Sequence, residues 1–210
     1  ILIKNGRVVD PVTNTDKIMD VLINDNKIAE VSEHIEASGA QVIDAAGLVV
    51  APGLVDTHVH FRDPGFTYKE DIETGARAAA KGGFTMVVCM ANTKPAVDNI
   101  ETLDYIQKKG EKTGINVLQT ATVTKGLKGT ELVDMEQLAA SGAAGFTDDG
   151  IPIMDEKVLL EAMNRAKELD LPISLHEEDP LFIKQPGVNM GEVSEKLSYG
   201  GASRTAEDIM

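Results

Sequence analysis

After Ala51-Pro52-Gly53, apolar runs alternate with amphipathic stretches at a spacing of roughly 30 residues, the length of a strand and its crossover helix. Strands are expected near 54-60, 84-90, 115-122, 143-147 and 172-176, and helices near 70-81, 99-112, 131-141 and 155-169. Runs such as Met86-Val87-Val88-Cys89-Met90 are apolar at every position. Strands of that kind are buried on both faces, as in a parallel sheet, and right-handed crossovers then put the helices outside. Either an open doubly wound sheet or a (β/α)8 TIM-type barrel satisfies this α/β rhythm.

The polar residues favour the barrel. His58, His60, Asn92, Asp148, Asp149 and His176 all fall at the C-terminal ends of the expected strands or just after them, where barrel active sites are built. Five β/α units do not close an eight-stranded barrel, so the chain is expected to carry about the first five units and to leave strand edges unpaired. It opens on Ile1 and ends at Met210, inside what reads as a helix start at 203-208. It is therefore expected to be cut at both ends and to fold poorly alone. Residues 185-191 read as a loop.

Residues 1-50 have a different texture. Short β-type runs alternate with the turn residues Asn5-Gly6 and Asn24-Asp25-Asn26, the pattern of a small antiparallel sheet. The expected organisation is a small N-terminal β domain over 1-50, part of a composite β-sandwich, followed by barrel over 51-210.

A formal net charge of −14 opposes binding to nucleic acid or to an anionic membrane, and it obliges any anionic substrate to find a local positive site. The sequence has no apolar run long enough to span a membrane and no signal-type start, so a cytoplasmic location is expected. Cys89 is the single cysteine. Lying in an apolar strand, it is expected to be buried and inert.

Two histidines one residue apart on a strand point to the same face, so His58 and His60 can grip one metal together, and imidazole suits zinc. The pair Asp148-Asp149 offers one aspartate to cap its own turn and another whose two oxygens can bridge two cations. His176 is placed to complete a second metal. Arg62 and Asn92 can hold a substrate carboxylate, with an Arg62–Asp63 salt bridge as the competing use of the guanidinium. His34, in a polar stretch, is expected at the surface. Dinucleotide, phosphate-loop, Cys-x-x-Cys and nucleophile-elbow motifs are all missing from the sequence.

These residues resemble the amidohydrolase superfamily. Within it, the run from Pro52 to Gly65, containing Asp56-Thr57-His58-Val59-His60-Phe61-Arg62-Asp63-Pro64, is similar to the signature of the dihydroorotase family, most closely its type I, two-metal bacterial form. Met90-Ala91-Asn92-Thr93-Lys94-Pro95, Phe146-Thr147-Asp148-Asp149-Gly150 and His176-Glu177-Glu178-Asp179 extend the likeness along the chain.

The resemblance implies reversible hydrolysis of the cyclic amide of dihydroorotate to N-carbamoyl-L-aspartate in pyrimidine synthesis. It implies two zinc ions, with His58 and His60 on one, Asp149 rather than Asp148 bridging, and His176 on the second. Arg62 and Asn92 would bind the substrate carboxylate. Many relatives bridge their metals with a carboxylated lysine after strand 4. Here that position holds the two aspartates and Lys157 falls in the next helix, which favours the type I reading. The family's last metal histidine and its catalytic aspartate lie on strands beyond residue 210, so this chain alone is expected to be inactive.

A homodimer, or association with aspartate transcarbamoylase, is the partner expectation. The alternatives are another cyclic amidohydrolase, acting on dihydropyrimidines, hydantoin or allantoin, and a catalytically silent scaffold subunit.

Overall fold

Asp25-Asn26, set between two β-type runs, closes a two-residue hairpin between β2 (Thr15–Asn24) and β3 (Lys27–Ser32). Both turn residues have positive φ, the geometry that matches the right-handed twist of paired strands and that Asn and Asp tolerate. β1 (Leu2–Asp10) pairs antiparallel with β2. β4 (Val42–Asp44) and β5 (Val49–Val50) join the other side of β1 in parallel, so the sheet is mixed rather than wholly antiparallel.

Asn5-Gly6 is not a turn. β1 runs straight through it, with Asn5 at φ 62 and the register slipping between Ile3 and Gly6, which makes it a β-bulge. The Asn5 amide that the bulge frees from the ladder donates to buried Asp20 (2.9 Å), whose other oxygen accepts from Ile35 N (3.0 Å).

The computed structural model describes residues 1–210 and divides into two units, Ile1–Gly53 and Leu54–Met210. In the second unit strands and helices alternate as the periodicity requires: β6 (Leu54–Val59), α1 (Ile72–Lys81), β7 (Phe84–Cys89), α2 (Ile100–Gly110), β8 (Asn116–Gln119), α3 (Met135–Ala140), β9 (Phe146–Thr147), α4 (Glu156–Glu168) and β10 (Ile173–Ser174). Two short helices follow, α5 (Glu192–Lys196) and α6 (Thr205–Asp208).

Each of α1 to α4 starts at an Asp or Asn, namely Asp71, Asn99, Asp134 and Asp155, whose side chain accepts from a first-turn amide. Such a cap satisfies an N–H that the helix itself cannot, worth about 1 kcal/mol.

β6, β7 and β8 form a parallel sheet in that order, and β9 pairs parallel with β10. A parallel bridge from Ala121 to Phe146 joins the two sheets. Every strand therefore neighbours the one before it. A doubly wound sheet reverses direction at a switch point, and no reversal occurs across these five strands, as in the first part of a barrel.

β9 and β10 are far shorter than the apolar runs suggest. Beyond Thr147 the Asp148 carboxylate takes the amides of Val123 and Thr124, so side-chain bonds continue the contact with the segment after β8. The core between strands and helices is built from Val87, Val97, Leu103, Ile106, Leu138 and Phe146, all buried. Cys89 lies in it, and burial pushes its thiol up to about 12, the inert state expected of it.

Candidate metal centre

β6 and the residue that follows it deliver the first two donors. His58 and His60 lie on one face of the chain, and both rings turn toward Asp149, which follows β9. His58 Nε2 is 3.4 Å from Asp149 Oδ1, and His60 Nε2 is 3.4 Å from Oδ2. One donor atom from each of the three residues lies within 4.8 Å of the others.

Metal bonds of about 2.0–2.1 Å at tetrahedral angles hold neighbouring donors roughly 3.3–3.4 Å apart. A direct N–H···O bond would close to about 2.9 Å. The observed spacing, with two imidazoles and one carboxylate, fits a shared zinc-sized cation.

The two aspartates divide their tasks. Asp148 is buried and accepts from Val123 N (2.8 Å), Thr124 N (3.1 Å) and the Thr124 hydroxyl, so it anchors the segment after β8. Burial pushes its carboxyl above the usual range, although those three bonds act the other way. Asp149 faces the histidines, and its own amide donates to Thr147 Oγ1 (3.0 Å).

Asn92, just past β7, sits between the other groups. Its Oδ1 is 3.0 Å from His60 Nδ1 and accepts from Arg62 Nη1 at 3.3 Å. Its Nδ2 donates to Asp149 Oδ2 (3.0 Å) and to the Asp149 carbonyl (3.3 Å). The competing Arg62–Asp63 bridge does not form. Asp63 is buried and is met instead by Lys109 Nζ (2.6 Å), Tyr105 OH (3.0 Å) and Ile72 N (3.4 Å). Arg62 itself has φ 59, a left-handed backbone that costs a non-glycine residue about 1 kcal/mol or more and turns up at functional sites.

His176, past β10, stands outside this group, with its Nε2 3.1 Å from Glu178 Oε2. His34 is exposed, with Glu36 3.6 Å away. Reading the sequence alone missed Thr147 as the prop of Asp149 and Lys109 as the partner that takes Asp63 away from Arg62. Lys109 lies 46 residues from Asp63, so only an expectation that a buried carboxylate must find a cation would have raised it.

The profile described as Dihydro-orotase-like matches residues 47–207 of this chain. A curated dihydroorotase from Clostridioides difficile (strain 630) is 58% identical over 211 residues, covering 100% of this chain and 50% of that protein. The chain spans about half the length of the curated relatives it matches.

Among solved structures, an L-hydantoinase (dihydropyrimidinase) from Arthrobacter aurescens superposes with a TM-score of 0.74 at 24% identity, over 87% of this chain and 42% of that one. A D-hydantoinase follows at 0.67 and 30% identity, over 84% and 40%. The α/β fold is that of these barrel enzymes, of which this chain covers part.

Proposed function

The chain belongs to the dihydro-orotase-like family, and on that premise we propose that the full-length protein is a dihydroorotase. It hydrolyses the cyclic amide of (S)-dihydroorotate reversibly to N-carbamoyl-L-aspartate, in the de novo synthesis of pyrimidine nucleotides. The observation that carries the reading is the convergence of His58, His60 and Asp149 at metal-ligand spacing beside Arg62. Curated relatives bearing the name dihydroorotase support it.

In this reading His58, His60 and Asp149 would hold zinc, and His176 with Asp149 would serve a second ion. Bound zinc supplies Lewis acidity, lowering the pKa of water toward about 7 and polarising a carbonyl oxygen. The protein's own contribution is to aim these donors and to place a fixed cation for the substrate. Arg62, with no carboxylate partner of its own, offers its guanidinium to the ring carboxylate in a chain whose overall charge would repel an anion. Asn92 stands beside it as the second expected contact.

Residues 51-210 are read as the first part of a (β/α)8 barrel. Residues 1-50 are read as one layer of a composite β-sandwich, since Ile18, Val42 and Val49 expose apolar side chains on one face of its sheet and a sheet is stable when such a surface is covered. A cytoplasmic protein, dimeric or bound to aspartate transcarbamoylase, completes the proposal. No helix is long and apolar enough to cross a membrane.

The likeness to a D-hydantoinase at 30% identity favours one second reading, a cyclic amidohydrolase of neutral rings. Such an enzyme has no use for Arg62 as a carboxylate clamp. Turnover of dihydroorotate beside hydantoin, dihydrouracil and allantoin by the full-length protein separates the two. Ring opening of dihydroorotate is expected, and turnover of the neutral rings alone would overturn the proposal.

A further inference from the structure

We infer that Lys109 and Tyr105 are positioning residues for Arg62: by holding the Asp63 carboxylate in the interior, they keep the neighbouring guanidinium free of a carboxylate and available to substrate. The inference rests on the reading of Arg62 as the contact for the dihydroorotate carboxylate. To that reading it adds the two residues of α2 that keep the contact open.

Arg62 and Asp63 are adjacent, opposite in charge and engaged with different parts of the fold. Arg62 Nη1 donates to Asn92 Oδ1 (3.3 Å), beside the metal donors. The Asp63 side chain is fully buried and meets three donors from two helices. Its Oδ2 accepts from Lys109 Nζ (2.6 Å) and from Ile72 N (3.4 Å) at the start of α1, and its Oδ1 accepts from Tyr105 OH (3.0 Å).

Tyr105 and Lys109 stand one turn apart on α2, so one face of that helix supplies both the hydroxyl and the ammonium. They also bond to each other, Lys109 Nζ donating to Tyr105 OH at 3.3 Å. The hydrogen bond to Asp63 holds the Lys109 ammonium above its ordinary value, so the cation persists at any neutral pH.

Arg62 keeps a φ of 59, and a non-glycine residue stays in that region only where its surroundings over-determine it. Backbone bonds contribute on both sides, from Phe66 N to Arg62 O (2.9 Å) and from Lys94 N to Pro64 O (3.1 Å). The third restraint is the Asp63 side chain, pinned between α1 and α2.

That restraint depends on charge, because a carboxylate stays out of water only when it is paired. Without Lys109, Asp63 keeps one hydroxyl and one long amide contact. Its relief is to turn outward, which releases the left-handed turn, and the cation next to it in the chain is Arg62. A guanidinium forked onto its own neighbour no longer serves an anionic substrate. In a chain of formal net charge −14, a cation kept clear of carboxylates has to be defended from them.

The test is steady-state ring opening of dihydroorotate by the zinc-loaded full-length protein, with zinc content measured beside it. Lys109→Met is expected to raise KM roughly tenfold, the loss of about one charge-assisted hydrogen bond to substrate. Its kcat and zinc content should stay at wild-type levels, the split that marks lost ground-state binding. Lys109→Arg keeps the cation and should keep the wild-type KM.

The decisive variant combines Asp63→Asn with Lys109→Met. With no carboxylate left to turn on Arg62, KM should fall back toward the wild-type value even where stability stays reduced. Tyr105→Phe removes one donor and spares the ion pair; it should raise KM by less, and it serves where Lys109→Met does not fold. Wild-type KM in Lys109→Met, or in Tyr105→Phe standing in for it, would overturn the inference. So would a KM as high in the double variant as in Lys109→Met, and either result leaves Arg62 as the carboxylate contact. A wild-type protein that opens only neutral rings would overturn the functional reading and the inference with it.

Discussion

Gly65 carries the sharpest steric demand near the site. Its φ is +94, and a Cβ added there would lie 2.1 Å from the Lys94 carbonyl oxygen and 2.6 Å from Lys94 Cβ. That close approach lets the segment after β6 lean on the segment after β7, with Lys94 N donating to Pro64 O at 3.1 Å. Gly83 supplies a matched control, because its φ is +86 and an added Cβ there meets nothing within 4 Å. Gly83→Ala should lose only the cost of an L side chain at positive φ, about 1–2 kcal/mol.

Gly65→Ala should lose that and a further ~1–3 kcal/mol of overpacking against backbone that has little room to yield. The contact must open by about 1 Å to reach ordinary separations, and the Arg62–Asn92 bond, already at 3.3 Å, would not survive it. The guanidinium would then no longer be held toward the substrate carboxylate, and since a hydrogen bond to a charged group is worth about 1.5–3 kcal/mol, KM for dihydroorotate should rise roughly 10- to 100-fold. Urea denaturation and steady-state kinetics on the full-length protein read both effects. Equal stability in the two alanine variants, with KM unmoved in Gly65→Ala, would refute the steric argument.

Arg62→Met should raise KM by at least about tenfold while zinc content by atomic emission stays at the wild-type level; an unaltered KM would remove the carboxylate role. Lys109→Met leaves Asp63 buried with only Tyr105 and Ile72 as partners, and should destabilise by about 2–4 kcal/mol, moderated because Lys109 itself stays partly in water; a loss below about 1 kcal/mol would mean the pair is not structural. Burial pushes the Asp20 carboxyl up, but the Asn5 and Ile35 amides and Lys4 outweigh it and hold it below its ordinary 3.8. Its stabilisation is therefore present above that value and lost as pH falls through the lower native one. Asp20→Asn should be less stable at neutral pH, by about 1–2 kcal/mol, with the gap narrowing on acidification; a gap that widens would contradict the assignment.

What could be read in advance was local. Period placed α1 to α4, and the caps that the structure shows at Asp71, Asn99, Asp134 and Asp155 are equally local, acting on amides of their own first turns. The facing of His58 and His60 was expected from strand alternation, and it holds although His60 falls just past β6 and the ladder is irregular between Asp56 and Val59. What was not legible depended on partners far along the chain. Asn5-Gly6 has the composition of a hairpin turn, and only pairing with β2 and the buried Asp20 makes it a bulge. Asp148 and Asp149 are the same residue type side by side, and the amides of Val123 and Thr124 decide which one turns inward. Arg62, His60 and Asp149 meet on the Asn92 amide, a convergence that no local rule reports. His176 was expected among the ligands, and in this structure it lies apart from the other three, 3.1 Å from its neighbour Glu178.

The most direct measurement is anomalous diffraction at the zinc edge from crystals of the zinc-loaded full-length protein. A zinc peak is expected within bonding distance, about 2.0–2.2 Å, of His58 Nε2, His60 Nε2 and an Asp149 oxygen. Zinc bound elsewhere, with these three side chains still facing one another unligated, would contradict the reading of this site as a metal centre.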